Sequence, residues 1–168
     1  MAKEVKLVKD LLNHQSFNHL KSYLHNNYKN FEYFEGFGRF EESSEQNASI
    51  KNYADELLDK AKEIFGSDTL KFTYGLIVHY EGEDAKLHKH KDTNACTYTL
   101  DVCLYQNVQW PLIVEDEEYN LDENEALAFY GEEQDHWREE FPDPSWNRVG
   151  MLFLHFAEPD HWFFKKKL

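Results

Sequence analysis

The apolar period of this chain changes once, and that change limits the fold more than any single motif does. Up to Gly66 hydrophobic residues recur at helical spacing. Ser16 reads as the cap of a helix whose Phe17, Leu20 and Leu24 share one face. Ile50, Tyr53, Ala54, Leu57, Leu58, Ala61, Ile64 and Phe65 then recur at three and four, and Gly66 closes the segment. From Thr69 onward the spacing becomes two. Lys71 to Glu81 alternates with Phe72, Tyr74, Leu76, Val78 and Tyr80 on one face; Ala95 to Gln106, Pro111 to Glu115, Glu125 to Tyr130 and Arg148 to Ala157 are further strand candidates. Lys3 to Leu12 reads as a short strand running into a turn, and Gly36 and Gly38 break an aromatic strand from Phe31 to Phe40. Helices ahead of a run of short antiparallel strands predict an α+β, mainly β architecture: a jelly roll or barrel buttressed by N-terminal helices, with an open mouth that can hold a ligand. The expected organisation is one domain over 1–168, with a helical support region at 1–66, a jelly-roll core at 67–158 and a basic tail at 159–168.

Composition narrows the partners. With 41% apolar and 16% aromatic residues, 168 residues suffice for one buried core. The 32 acids against 18 bases leave a net charge of −14, a surface that repels a phosphate backbone, so nucleic acid is not the expected ligand. Lys165, Lys166 and Lys167 read as a solvated tail. Cys96 and Cys103 do not make a disulfide framework, which fits reduced, cytoplasmic conditions. Neither a signal peptide nor a membrane-length apolar run is visible. Oligomeric state is open.

Chemistry concentrates in an H-K-D triplet, His90 to Asp92, followed 44 positions after its aspartate by His136. In extended backbone, residues two apart lie on the same side, so His90 and Asp92 can reach one ion, and a rolled sheet can bring His136 beside them. Two imidazoles and a carboxylate cover one face of an octahedral ferrous ion and leave the opposite face open. A structural zinc site would want four ligands, and Cys96 and Cys103 lack the spacing for it. Arg148, twelve positions after His136, opens the last strand and offers a two-pronged donor for the far carboxylate of a dicarboxylate co-substrate. His79 and His155 sit in apolar strands and read as core histidines with a hydrogen bond; His88 reads as exposed. The segment Phe31 to Glu45, rich in aromatic and acidic residues, is a candidate lid.

The pattern His90-x-Asp92, His136, Arg148 resembles the signature of 2-oxoglutarate and Fe(II)-dependent dioxygenases, in particular their prolyl and lysyl hydroxylase branch. The resemblance runs from about Leu70 to Glu158. Tyr80, ten residues before His90, looks like the tyrosine that contacts bound 2-oxoglutarate in that branch, and Thr97 to Leu104 is similar to the strand that follows the HxD motif. It implies a double-stranded β-helix of cupin-like type, with Fe(II) held by His90, Asp92 and His136, and 2-oxoglutarate held by Tyr80 and Arg148. The implied reaction is oxidative decarboxylation of 2-oxoglutarate coupled to hydroxylation of an unactivated C–H bond, in a prolyl or lysyl residue of a peptide or in a free amino acid. Ascorbate is an accessory reductant that such a resemblance admits. Two features depart from the pattern. Asp101 occupies an asparagine-like position where a carboxylate would repel the co-substrate unless it is protonated or faces away, and Arg138 offers a second anchor beside His136. A non-catalytic cupin-like metal-binding module and an interaction protein with incidental histidines are the competing classes.

Overall fold

A computed structural model describes residues 3–93 and 95–165. In chain order its elements are β1 (Lys6–Val8), α1 (His14–Asn27) with a 3-10 turn at Tyr28–Asn30, β2 (Glu32–Phe34), β3 (Arg39–Ser43), α2 (Ser49–Phe65), β4 (Lys71–Glu81), β5 (Leu87–His90), β6 (Tyr98–Gln106), β7 (Leu112–Val114), β8 (Glu117–Tyr119), β9 (Ala126–Phe129), β10 (His136–Arg138), β11 (Arg148–Ala157) and α3 (Trp162–Lys165). Lys165 ends α3; the other two lysines of the expected basic tail lie outside the described residues.

The strands form two antiparallel sheets. One runs β1-β9-β6-β11-β4-β3-β2 and the other β5-β10-β7-β8. Val78, Tyr80, Leu87, Leu112, Val114, Phe129, Met151 and Phe153 pack into one cluster between the sheets. On the outer face of the large sheet, Leu20 and Leu24 of α1 and Ile50, Ala54 and Leu57 of α2 pack on Ile77, Leu100, Leu152 and Leu154. This is the helix-buttressed jelly roll that the change of period predicts. Burying each large aliphatic side chain of α2 stabilises that arrangement by about 1.5–3 kcal/mol. At its end Gly66 takes φ 67° and ψ 33°, the left-handed cap expected there.

The start of α1 differs from expectation. Asn13, not Ser16, is the cap: its extended backbone lets the side-chain oxygen accept from the Ser16 N–H at 2.8 Å. Ser16 lies in the first turn and donates its hydroxyl to Glu56.

Strand parity decides what can reach the space between the sheets. In β4, Tyr74, Leu76, Val78 and Tyr80 point inward, whereas Ile77 and His79 point toward the helices. Phe72 departs from the predicted stripe. A bulge opposite His155 and Phe156 shifts it to the helix side, where it packs edge-on against Phe156. In β11, Val149, Met151, Phe153 and His155 point inward, and Leu152 and Leu154 lie beneath the helices. No helix among the described residues is long and apolar enough to cross a membrane.

Candidate metal centre

The two histidines of the motif face each other across a strand pair. His136 on β10 is registered directly opposite His90 on β5, and their ring centroids are 4.3 Å apart. Asp92, just beyond β5, donates its backbone N–H to the Gly131 carbonyl at 2.8 Å, which turns its carboxylate toward both rings. Asp92 Oδ1 lies 3.3 Å from His90 Nε2 and 3.4 Å from His136 Nε2. One donor atom from each residue falls within 4.8 Å of the other two. Gly131 makes room for this: a Cβ there would collide with Asp92 Oδ2 and approach the Cys96 carbonyl and Thr99 Oγ1 at 2.9 Å each.

Backbone carbonyls set the tautomers. His90 Nδ1 donates to the His88 carbonyl at 2.5 Å and His136 Nδ1 to the Gln134 carbonyl at 2.9 Å. A carbonyl only accepts, so in each neutral ring Nε2 carries a lone pair. Two lone pairs and a carboxylate oxygen converging at this range repel unless a cation lies among them, and these outer hydrogen bonds are the kind that orient metal ligands. The donor set therefore fits a divalent cation. Without a cation, only a proton on Nε2 relieves that repulsion: donated by His136 and His90, it outweighs burial and holds the Asp92 carboxyl well below its usual range. The bond to Asp92, against burial, raises His90.

The triad opens into a cavity of about 390 Å³, which Phe34, Phe37, Arg39 and Glu41 of the β2–β3 hairpin close on one side. The expected lid segment thus forms a wall of the cavity. β3 pairs with β4 from Arg39 to Ser43, and the Phe37 carbonyl accepts from Lys86 N. Gly38, at φ 60°, sits so close to the Asp84 backbone that a Cβ has no room. Arg39 is buried, pairs with Glu41 through Nε and Nη2, and donates from Nη1 to the Tyr80 hydroxyl at 2.6 Å. The motif reading missed Arg39. Its place two residues before Glu41, at the end of the aromatic run from Phe31 to Phe40, was the available signal.

The expected co-substrate residues divide. Tyr80 is fully buried between the sheets, edge-on to Trp110. Arg148 does not point into the barrel mouth. It is registered opposite Glu81, pairs with that carboxylate at 3.3 Å, and with Tyr28, His79 and Tyr105 lines a separate cavity of about 640 Å³ on the helix side. The reason is parity, since Tyr80 faces in and Glu81, one residue on, faces out. That second cavity is larger, but the ligand triad is not in it. Arg138 instead points inward two residues after His136. It donates Nη1 to the Trp110 carbonyl, lies 4.7 Å over the Trp110 ring, and carries the one fully buried side-chain polar atom among the described residues without a hydrogen bond, its Nε. Asp101 lines the metal cavity rather than facing away, and burial pushes its carboxyl up to about 7.

No family model matches the sequence, and no curated protein matches it. Solved structures do match. A Trichoplax adhaerens prolyl hydroxylase in complex with a hypoxia inducible factor oxygen degradation domain peptide fragment aligns with TM-score 0.68 at 12% identity, over 98% of this chain and 87% of that one. EctD from S. alaskensis with bound Fe aligns with TM-score 0.71 at 12% identity, over 92% and 72%. An oxidoreductase of the 2OG-Fe(II) oxygenase family from Burkholderia pseudomallei aligns with TM-score 0.70 at 6% identity, over 91% and 84%. The chain has the 2OG-Fe(II) oxygenase fold. Within that oxygenase fold, the His90, Asp92 and His136 cluster lies inside the jelly roll at one end of the space between the sheets. At these identities the likeness establishes architecture, so the chemistry rests on the site itself.

Proposed function

We propose that this chain is an Fe(II)- and 2-oxoglutarate-dependent hydroxylase of an unactivated C–H bond, with a prolyl residue of a peptide as the leading substrate class. One observation carries the reading: two Nε2 lone pairs and the Asp92 carboxylate converge from two separate backbone segments, with a cavity on their open side. His90, Asp92 and His136 would hold the ferrous ion. When bound, iron and 2-oxoglutarate supply the oxidising chemistry: dioxygen is consumed, the oxo acid leaves as succinate and CO2, and one oxygen atom enters the substrate.

The chain's own residues then bind, orient and exclude water. Arg138, a buried guanidinium with an unpaired Nε, is the fitting anchor for the far carboxylate of 2-oxoglutarate, with the Tyr80 hydroxyl, aligned by Arg39, beside it. Asp101, held near neutrality by burial, can donate a proton to a carboxylate instead of repelling it. Phe34, Phe37 and Leu76 give the mouth an apolar wall that suits a prolyl ring. The peptide complex of the Trichoplax structure supports a peptide substrate.

A non-catalytic cupin-like metal module draws on a different observation, that Tyr80 and Arg138 lie behind the cavity lining rather than on it. Succinate formation from 2-oxoglutarate by Fe(II)-loaded protein separates the two. The hydroxylase reading requires turnover that Asp92→Ala abolishes, even without a primary substrate; bound iron with no turnover would leave the metal module.

A further inference from the structure

Asp92 belongs to two donor sets. Besides meeting His90 and His136, it lies with Cys96 and His155 in a group whose ligand atoms are also all within 4.8 Å of one another. Asp92 Oδ1 faces the histidine pair, whereas Oδ2 lies against Gly131 beside the Cys96 carbonyl and Thr99 Oγ1. That threonine hydroxyl is 3.1 Å from His155 Nδ1 and so orients the second imidazole. On the far side the Tyr74 hydroxyl lies 3.0 Å from Cys96 Sγ, and its ring is 4.6 Å from that of His155.

We infer that Asp92, Cys96 and His155 form a second cation site, selective for a borderline-soft divalent ion of the zinc class and joined to the first by the bridging Asp92 carboxylate. Thiolate, imidazole and carboxylate are a zinc donor set, and three protein ligands leave a fourth position for water or the Tyr74 phenol. The first set, with no sulfur, has no such preference. A cation entering here displaces the thiol proton, one proton released per ion bound, as at other thiolate sites. Because one carboxylate serves both sets, zinc-class ions and iron are coupled through Asp92, and carboxylate-bridged ions of this kind lie about 3.5–4 Å apart. The inference does not require oxygenase activity.

Cadmium alone, added to the purified full chain without 2-oxoglutarate, tests it through stoichiometry and the ultraviolet thiolate-to-cadmium charge-transfer band. Two equivalents are expected, with the band saturating at one. Cys96→Ser should lose the band and one equivalent, and His155→Gln should weaken the same equivalent at least tenfold. Cys103→Ser and His90→Ala should keep the band, with circular dichroism confirming that each variant is folded. One equivalent without a band in the unmodified protein, or a band that survives Cys96→Ser, overturns the second site and leaves the first standing. No bound cadmium at all overturns both.

Discussion

His90 and His136 stand opposite each other in neighbouring antiparallel strands, each with Nδ1 tied to a backbone carbonyl two residues before it. The same local geometry on both strands turns both Nε2 atoms toward Asp92. Removing either the carboxylate or one ring should therefore destroy iron affinity without unfolding the sheet. Asp92→Ala and His136→Ala are each expected to weaken Fe(II) binding by more than about 100-fold, beyond what loss of an outer hydrogen bond does. Calorimetric titration with Fe(II) under anaerobic conditions checks this; retention of wild-type affinity in either variant refutes the ligand assignment.

Gly131 makes a different prediction. A methyl group there has no space beside Asp92 Oδ2, Thr99 Oγ1 and the Cys96 carbonyl. Gly131→Ala should lower stability by about 1–3 kcal/mol, as overpacking does, and displace the carboxylate. Urea unfolding and metal titration of the variant should both shift, and an unchanged metal affinity would mean that Asp92 does not need this approach.

Arg138 and Arg148 should behave oppositely. The charge-assisted bonds expected of a carboxylate anchor are worth about 1.5–3 kcal/mol, so Arg138→Lys should raise KM for 2-oxoglutarate by roughly 10- to 100-fold. Arg148→Ala, on the helix face beside Glu81, should leave it within about twofold. The reverse order in steady-state kinetics would restore Arg148 as the anchor.

Much of this was legible beforehand, and what was not has physical causes. The change from helical to strand period gave the architecture because both helices and the long strands β4 and β11 bury continuous apolar stripes. The triad was legible as a motif, but the strands bearing it were not. Leu87–His90 and His136–Arg138 are too short and too polar to show an alternating apolar stripe. The direction of Arg148 could have been read from parity, since it shares a face with Leu152 and Leu154. The bulge that turns Phe72 over could not, because it depends on the partner strand. Cys96 and His155 meet only once β6 and β11 pair, so nothing in their spacing announced the second donor set.

Stability should depend on pH through His79. Burial, opposed by its bond to Glu81, lowers its pKa from 6.5 to about 4. Between those values the unfolded chain takes up a proton that the native state refuses, so stability falls as pH drops from 6.5 to 4, by up to about 3 kcal/mol from this group. His79→Gln should flatten that slope in urea unfolding measured across the interval, whereas an unchanged slope would contradict the shift. Asp101 has the opposite sign. Its carboxyl is raised from 3.8 to about 7 by burial, so it is most favourable at low pH and costs stability as pH rises through that window. Asp101→Asn should gain on the wild type from pH 4 to 7.

The central claim is that His90, Asp92 and His136 hold a ferrous ion with an open face on which 2-oxoglutarate chelates. Its most direct test is anaerobic addition of 2-oxoglutarate to the Fe(II)-loaded protein, followed by visible absorption. A metal-to-ligand charge-transfer band that saturates at one equivalent, and is absent in Asp92→Ala, is the predicted result. Stoichiometrically bound iron that gives no such band at any 2-oxoglutarate concentration would contradict it.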